Sequence, residues 1–253
     1  MPPPQLLPTR VPDGVAPGLR YRIEGELVPV LHVELAPGAG VFFEHHVVLY
    51  KDPALAIGMH PMQGAFKRLV AGMPILMTEA RGPGEVAFSR DGIGHVFPFH
   101  LRPGEGILVR EHQFLAASAN LAYDFQRVKG LGSMLFGQSG FFVDHFSAAH
   151  DEGVLWLYGY GNVFVKTLGP GEQIDVEPGG WVYRDESVDM TMQLYGLRTG
   201  LLSGNGNLVF NRFTGPGRVA IQSMYVHLAG GGDAAAAVGG ASVVGGVIKS
   251  LLG

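Results

Sequence analysis

The sequence of 253 residues contains no cysteine. A chain without thiols forms no disulfide, binds no metal through thiolates and offers no cysteine nucleophile. This excludes the class of small domains that disulfides hold together. It also agrees with a reducing compartment.

Charge of either sign is scarce. The chain has 18 Lys and Arg residues against 22 Asp and Glu residues, which gives a formal net charge of -4. Because binding to phosphate backbones depends largely on clustered cations, this composition predicts no nucleic-acid partner.

Signals for export, for long helices and for membrane insertion are also weak. The start, Met1 to Pro4, lacks the basic segment and apolar run of a secretory signal. A single short helix is predicted at 65–71. Residues 234–253 contain no acidic residue, but they are rich in Ala and Gly and include Lys249. We expect a flexible tail that contacts a neighbouring subunit or, peripherally, a membrane surface.

Turn residues and strand formers are abundant instead. The 39 Gly and 17 Pro are spread among Val, Ile, Phe and Tyr, a distribution typical of short strands joined by tight turns. Three segments repeat one pattern, in which an apolar alternation is followed by a Pro-Gly corner and a new apolar run. Pro followed by Gly with positive φ suits a type II turn. The segments are Val33-x-Leu35-x-Pro37-Gly38-x-x-Val41, Phe99-x-Leu101-x-Pro103-Gly104-x-x-Ile107 and Ile174-x-Val176-x-Pro178-Gly179-x-x-Val182.

A longer match joins two distant parts of the chain. Residues 75–88 align without gaps to 208–221, and both segments contain Gly-Pro-Gly. Duplication explains this match most simply, although Pro-Gly turns also recur by chance in β-rich chains. We predict an all-β fold with at most short helices. The predicted organisation is an N-terminal arm at 1–18, a duplicated β domain at 19–229 with modules 19–100 and 101–229, and a Gly/Ala-rich tail at 230–253.

Ten histidines raise the question of a metal site. The candidate ligands are His45, His46 and His112, which lie in Glu44-His45-His46 and Glu111-His112. A cupin site needs two histidines with one residue between them, so that both lie on the same strand face. His45 and His46 are adjacent, and adjacent residues of a strand point to opposite faces. We therefore predict no metal centre and treat these histidines as surface or hydrogen-bonded residues.

No pattern for covalent catalysis or cofactor binding is present. The segment Gly137-Gln138-Ser139-Gly140 lacks the first glycine of a nucleophile elbow. The Gly-Pro-Gly corners lack the Lys-Ser/Thr of a phosphate-binding loop. The acidic pairs Asp151-Glu152 and Asp185-Glu186 lie among turn residues. The sequence thus predicts no catalytic residue and no cofactor.

Several segments, in their order and spacing, resemble the family of the altered inheritance of mitochondria protein and its bacterial relatives. The resemblance covers the chain from about residue 20 to the end and is weakest from Glu44 to His60. The segments are Val33-Glu34-Leu35-Ala36-Pro37-Gly38, Gly82-Pro83-Gly84-Glu85-Val86, Gly137-Gln138-Ser139-Gly140-Phe141-Phe142, Gly161 with Leu168-Gly169-Pro170-Gly171-Glu172, and Gly215-Pro216-Gly217-Arg218-Val219-Ala220-Ile221-Gln222-Ser223.

The resemblance implies a double-stranded β-helix built from duplicated modules like those of the tryptophan RNA-binding attenuation protein, commonly assembled as a trimeric ring. It supplies no established catalytic residues. The likeness to the attenuation protein concerns the fold and does not transfer RNA or tryptophan binding. Since the sequence has nothing like a mitochondrial presequence, we expect a bacterial cytoplasmic protein.

The sequence patterns and the family resemblance together lead to two hypotheses of function, which belong to different classes. The first is a non-enzymatic, homo-oligomeric β scaffold that presents loops or its tail to a protein partner or a membrane surface. The alternative is an enzyme or a small-ligand or metal binder of cupin-like architecture, in which three histidines would line one cavity. The histidines considered for that cavity are His45, His46, His95, His100 and His112.

Overall fold

The computed structural model describes residues 2–60, 77–128, 141–195 and 208–224. Within these ranges the chain forms β-strands and one 3-10 turn, His45–Val47. The all-β prediction is therefore confirmed. The helix predicted at 65–71 and the tail at 230–253 lie outside the described residues.

The strands are short and most of them follow each other closely. In chain order they are β1 (Gln5–Leu6), β2 (Gly14–Ala16), β3 (Leu19–Glu24), β4 (Val30–Leu35), β5 (Gly40–Phe43), β6 (Val48–Lys51), β7 (Ala56–His60), β8 (Met77–Arg81), β9 (Gly84–Phe88), β10 (Gly94–Leu101), β11 (Gly106–Arg110), β12 (Phe114–Ser118), β13 (Ala122–Val128), β14 (Phe141–Ser147), β15 (Gly153–Tyr160), β16 (Val163–Leu168), β17 (Gln173–Val176), β18 (Trp181–Asp185), β19 (Asp189–Tyr195), β20 (Leu208–Thr214) and β21 (Gly217–Gln222).

These strands form four antiparallel sheets. The seven-stranded sheet has the order β1-β16-β21-β18-β11-β14-β13, and the six-stranded sheet has the order β10-β15-β12-β5-β8-β7. The five-stranded sheet is β2-β3-β4-β9-β6, and the three-stranded sheet is β17-β20-β19.

One pairing scheme occurs three times along the chain. We call the three copies unit 1 (β4 to β9), unit 2 (β10 to β15) and unit 3 (β16 to β21). In each unit the sixth strand pairs with the first and third strands, and the fifth strand pairs with the second and fourth. The predicted boundary between two modules, at residues 100 and 101, falls at the end of β10. That two-module division stays a prediction.

Neighbouring units are joined through one kind of strand pair. The third strand of unit 2, β12, pairs with the second strand of unit 1, β5. In the same way β18 of unit 3 pairs with β11 of unit 2. The six-stranded and seven-stranded sheets each run across such a junction.

The Pro-Gly corners connect the first and second strands of each unit. Gly38 and Gly104 both have φ of 84°, and Gly171 has φ of 73°. The type II geometry predicted at the first two corners is confirmed by these angles. The prediction was wrong at Gly179, which does not have a positive φ. The third corner is instead Pro170-Gly171, which follows β16.

The gapless match found in the sequence corresponds to the fifth and sixth strands of units 1 and 3. The segment 75–88 contains β8 and β9, and the segment 208–221 contains β20 and all but the last residue of β21. The bonds Gly82-Pro83 and Gly215-Pro216 at the two corners are both cis.

The third strands carry a shared bulge and a shared side-chain contact. The register with the sixth strand shifts between Val48 and Tyr50 in β6, between Phe114 and Ala116 in β12, and between Trp181 and Tyr183 in β18. In each unit a side-chain oxygen at the end of the third strand, or one residue after it, accepts the backbone N–H of the second residue of the sixth strand. The distances are 2.8 Å from Glu85 to Asp52, 3.0 Å from Val154 to Ser118 and 2.8 Å from Arg218 to Asp185. These features align the units residue by residue.

The apolar faces of the sheets bury three clusters of side chains. Trp156 lies in the first cluster and Trp181 in the third, and both are fully buried. At roughly 25 cal/mol per Å² of apolar surface removed from water, such burial is the dominant stabilising contribution to a fold of this kind. The junction strands β12 and β18 supply residues to these clusters, so the units share their cores.

The arm at 1–18 contributes two strands. Gln5 and Leu6 of β1 pair with β16, and β2 pairs with β3. In the described ranges no helix is both long and apolar enough to cross a bilayer.

Candidate functional site

In the described part of the chain, two strands lie at sheet edges although their counterparts in other units pair with a neighbouring unit. β6, the third strand of unit 1, ends the five-stranded sheet, and β17, the second strand of unit 3, ends the three-stranded sheet. The equivalent strands β12 and β18, and β5 and β11, are all paired on both sides. We call β6 and β17 the terminal edges. They are the places where the repeated pairing scheme stops.

The bulge residue of β6 is exposed where its counterparts are buried. Leu49 is 58% exposed, whereas Leu115 of β12 and Val182 of β18 are 0% exposed. A large apolar side chain at the same structural position is therefore covered by the preceding unit in two cases and uncovered in one.

The residue after the bulge behaves in the same way. Tyr50 is 44% exposed, whereas Ala116 is 0% and Tyr183 is 3% exposed. Burial raises the pKa of Tyr183 to about 12, because the phenolate is poorly solvated at the junction of units 2 and 3.

A polar network fixes the open face of β6. The Tyr50 hydroxyl donates to Glu85 Oε1 at 2.6 Å and accepts from His32 Nδ1 at 2.8 Å. Arg22 Nη1 donates to Glu85 Oε2 at 3.0 Å, and His32 Nε2 lies 3.3 Å from Glu24 Oε2. The hydrogen bonds from Arg22 and from Tyr50 lower the pKa of the Glu85 carboxyl. The hydrogen bond to Glu85 raises the pKa of Tyr50.

This network is suited to orienting a strand more than to catalysis. Each oxygen of Glu85 already accepts a strong hydrogen bond, and no serine, threonine or cysteine belongs to the network. A shallow concavity of about 750 Å³ lies beside it, and its polar lining includes Arg20, Glu34 and Asp52.

The other terminal edge carries a fixed acid. Asp175 of β17 accepts two hydrogen bonds from Arg212 of β20, with distances of 2.7 Å from Nε to Oδ1 and 2.7 Å from Nη2 to Oδ2. A bidentate pair of this kind holds the carboxylate in one orientation.

Of the three candidate metal ligands, the two whose side chains the structure describes, His46 and His112, join no group that could hold a metal. The backbone of His45 lies in the 3-10 turn, and its side chain is outside the described part of the structure. His46 Nε2 lies 3.4 Å from Glu44 Oε2, and His112 Nε2 lies 3.8 Å from Glu111 Oε1. Across the four described ranges, no three His, Asp or Glu residues form a group that could hold a metal.

The two other histidines considered for a ligand cavity lie on β10. His95 is buried, and burial lowers its pKa, an effect that the carbonyl of Pro8 partly offsets. His100 is exposed, and its Nε2 lies 3.2 Å from the Tyr21 hydroxyl. Neither residue joins the polar network of β6.

Inspection of the sequence missed the residues of the terminal edges. Leu49 and Tyr50 belong to a strand-like run, but their exposure is visible only when the three units are superposed by their bulges. The repeated short runs Val48-Leu49-Tyr50, Phe114-Leu115-Ala116 and Trp181-Val182-Tyr183 share an apolar character that could have suggested the equivalence.

Comparisons with known proteins agree with this architecture. The family described as mitochondrial biogenesis AIM24 matches residues 21–224. A crystal structure of a protein from Streptococcus pyogenes is similar in fold, with a TM-score of 0.65, 21% sequence identity, and coverage of 82% of this chain and 94% of that chain. No match was found among curated proteins.

Proposed function

The chain belongs to the AIM24 family of mitochondrial biogenesis proteins, and from this membership we propose that it is a non-enzymatic scaffold that works as a homo-oligomer. In this proposal the all-β domain builds the assembly, and loops or the tail at 230–253 contact a protein partner or a membrane surface. The specific form that we propose is a trimer in the cytoplasm, because the resemblance implies relatives that commonly assemble as trimeric rings. In this form each chain folds into double-stranded β-helix modules like those of the tryptophan RNA-binding attenuation protein (TRAP).

The pair of terminal edges is the observation that carries this proposal. An exposed strand edge presents unpaired backbone groups, and proteins cover or pair such edges because they otherwise promote aggregation. Here the edge strand β6 also exposes Leu49 and Tyr50. Assembly would cover both the backbone groups and the apolar side chains.

The site chemistry supports a structural role over a catalytic one. The ionisable residues near β6 and β17 are held in ion pairs and hydrogen bonds, as in Arg22 with Glu85 and Arg212 with Asp175. These contacts fix strand orientation, which an assembling surface requires.

Light scattering of the full chain at micromolar concentration tests the proposal. The expected result is a stable species whose mass is a multiple of 27.0 kDa, with three copies as the specific expectation. A monodisperse species of one chain mass across the concentration range would overturn the scaffold function.

A further inference from the structure

Resting on the proposed assembly, we propose that copies of this chain join head to tail by pairing β6 of one copy with β17 of the next. The partner surface of each terminal edge is thus the other terminal edge of a second copy. The proposal includes a register, in which Tyr50 lies opposite Val176, Lys51 opposite Asp175 and Asp52 opposite Ile174.

The register comes first from the junction of units 1 and 2. There the third strand of the later unit, β12, runs antiparallel to the second strand of the earlier unit, β5. The pairs are Ala116 with Phe43, Ala117 with Phe42 and Ser118 with Val41.

The junction of units 2 and 3 repeats this geometry. Here β18 runs antiparallel to β11, and the pairs are Tyr183 with Val109, Arg184 with Leu108 and Asp185 with Ile107. The two junctions agree residue by residue once the units are aligned by the bulge and by the Pro-Gly corner. One chain therefore contains two examples of the same joint.

Unit 3 and unit 1 carry the two halves of a third such joint. Asp52 is equivalent to Ser118 and Asp185, since all three side chains accept a backbone N–H of the sixth strand. Ile174 lies three residues after the third Pro-Gly corner, as Val41 and Ile107 do after theirs. Placing Asp52 opposite Ile174 fixes the other pairs.

The side chains fit this joint. Leu49 and Tyr50 would become covered as Leu115 with Ala116 and Val182 with Tyr183 are covered inside the chain. Val176, which is already buried in the single chain with 7% of its surface exposed, would lie opposite Tyr50.

In the single chain the Lys51 ammonium donates to the carbonyls of Asp52, Pro53 and Leu55. In the joint it would turn to Asp175, which gives a contact between opposite charges that the internal joints lack. The equivalent internal pairs are Ala117 with Phe42 and Arg184 with Leu108, neither of which combines opposite charges. Opposite charges directly across an antiparallel pair are favourable, and like charges are not. The contact therefore favours pairing between the ends of two copies.

A joint between different surfaces of two copies is heterologous. Such a contact closes into a ring when its rotation divides a full turn and otherwise continues as a filament. Because every copy carries one β6 and one β17 edge, a closed ring leaves neither edge uncovered.

The absence of cysteine makes a crosslinking test direct. Lys51→Cys and Asp175→Cys are prepared as separate single variants and then mixed under mild oxidation. The mixture is expected to form a covalent dimer containing one chain of each, because directly opposed residues meet the geometry of a disulfide. Each variant alone is expected to remain uncrosslinked.

An off-register control uses Gln173→Cys with Lys51→Cys. Gln173 lies two residues from Asp175 on the same strand face and is exposed. Its crosslink with Lys51→Cys is expected to form at least about tenfold more slowly, because the sulfur atoms start too far apart.

A second variant leaves β17 and its Arg212 contact unchanged. Leu49→Glu is expected to reduce the mass from light scattering to that of one chain, because it places a charge in the joint. Ile57→Glu is the matched control, since Ile57 is 48% exposed on β7, at the edge of the six-stranded sheet. It is expected to leave the assembly intact.

The outcomes separate this joint from the proposed function. Crosslinking of either single variant alone, or equal rates for the two registers, would overturn the head-to-tail joint. An assembly that survives Leu49→Glu would also overturn the joint while leaving the scaffold function in place. A wild-type chain that is monomeric would overturn both.

Discussion

Lys166 has an unusual position for a lysine, because it is 1% exposed in the middle of β16. Its ammonium donates to the carbonyl of Pro2 in the N-terminal arm. A buried ammonium without an acceptor is costly, so the arm stabilises this side chain. Lys166 occupies the place that Val33 and Phe99 hold in the other units.

Removing residues 1–4 tests this contact. The truncation is expected to lower the free energy of unfolding by about 1–3 kcal/mol more in the wild type than in Lys166→Met, because only the wild type loses an acceptor for a buried charge. Denaturant titration of the four proteins in this double-mutant cycle measures the difference. Equal losses in both backgrounds would contradict the role of Pro2.

Glu85 predicts a dependence of stability on acid pH. The native pKa of its carboxyl lies below the ordinary value of 4.5, so its contribution is present above that pH and is lost as pH falls through the native pKa. We expect Glu85→Gln to lower the free energy of unfolding at pH 7 by less than about 1 kcal/mol, since the ion pair of Glu85 with Arg22 is partly exposed to solvent. The difference in unfolding free energy between the wild type and Glu85→Gln should shrink as the pH is lowered from 7 through the native pKa of Glu85. Urea titrations over this range measure it, and a difference that grew in acid would be inconsistent with the network.

Tyr183 predicts a complementary effect in base. Its native pKa is raised from 10.0 to about 12 by burial. The stability it contributes is present below pH 10 and is lost as pH rises toward 12, because the unfolded chain releases the proton first. The unfolding free energy of Tyr183→Phe should therefore fall less than that of the wild type as the pH rises from 10 to about 12. Unfolding measured against pH tests this, and parallel profiles of the two proteins would contradict the burial of the phenol.

At the scale of elements, position in the repeat decides what an apolar side chain does. Leu115 and Leu49 occupy the same bulge position, and their exposures are 0% and 58%. One lies in an internal joint and the other on a terminal edge. Local sequence alone does not distinguish them.

The two leucines provide a matched prediction. Leu115→Ala is expected to cost about 2–5 kcal/mol of unfolding free energy, because it leaves a cavity in the shared core. Leu49→Ala should change the stability of the dissociated chain by no more than about 0.5 kcal/mol. Denaturation at low protein concentration measures both. Similar large losses for the two variants would show that β6 is buried within its own chain.

Much of the element pattern could be predicted from sequence. Alternating apolar residues and Pro-Gly corners indicated strands and turns, and Gly38 and Gly104 have the positive φ that these corners require. The third corner was misplaced because Lys166 breaks the apolar alternation before Pro170-Gly171. The buried ammonium donates a hydrogen bond to the distant Pro2 carbonyl, and that contact has no local signal in the sequence.

The candidate site could not be predicted in the same way. Imidazole binds metals, so the histidines of Glu44-His45-His46 and Glu111-His112 are candidate ligands by residue type. In the structure, however, His46 lies beside Glu44 and His112 lies beside Glu111. The terminal edges depend on which strands end a sheet. That is a property of long-range pairing, which no short motif encodes.

At the scale of the whole molecule, the described ranges form three units with two joints between them. A linear series of units always leaves one unused surface at each end, as repeat proteins do at their caps. In this chain the described ends are β6 and β17, and neither is blunted by a proline within the strand. In the proposed scaffold, pairing between copies would continue this series from one chain to the next.

Hydrogen exchange of the wild type and Leu49→Glu tests this account most directly. The substitution lies in β6. If its effect stays within one chain, amide exchange becomes faster only in β6 and in its neighbour β9. Pairing between copies predicts that exchange also becomes faster in β17, Gln173–Val176, because its partner strand is lost. Unchanged exchange in β17, alongside a wild-type assembly, would contradict the claim that the terminal edges join one copy to the next.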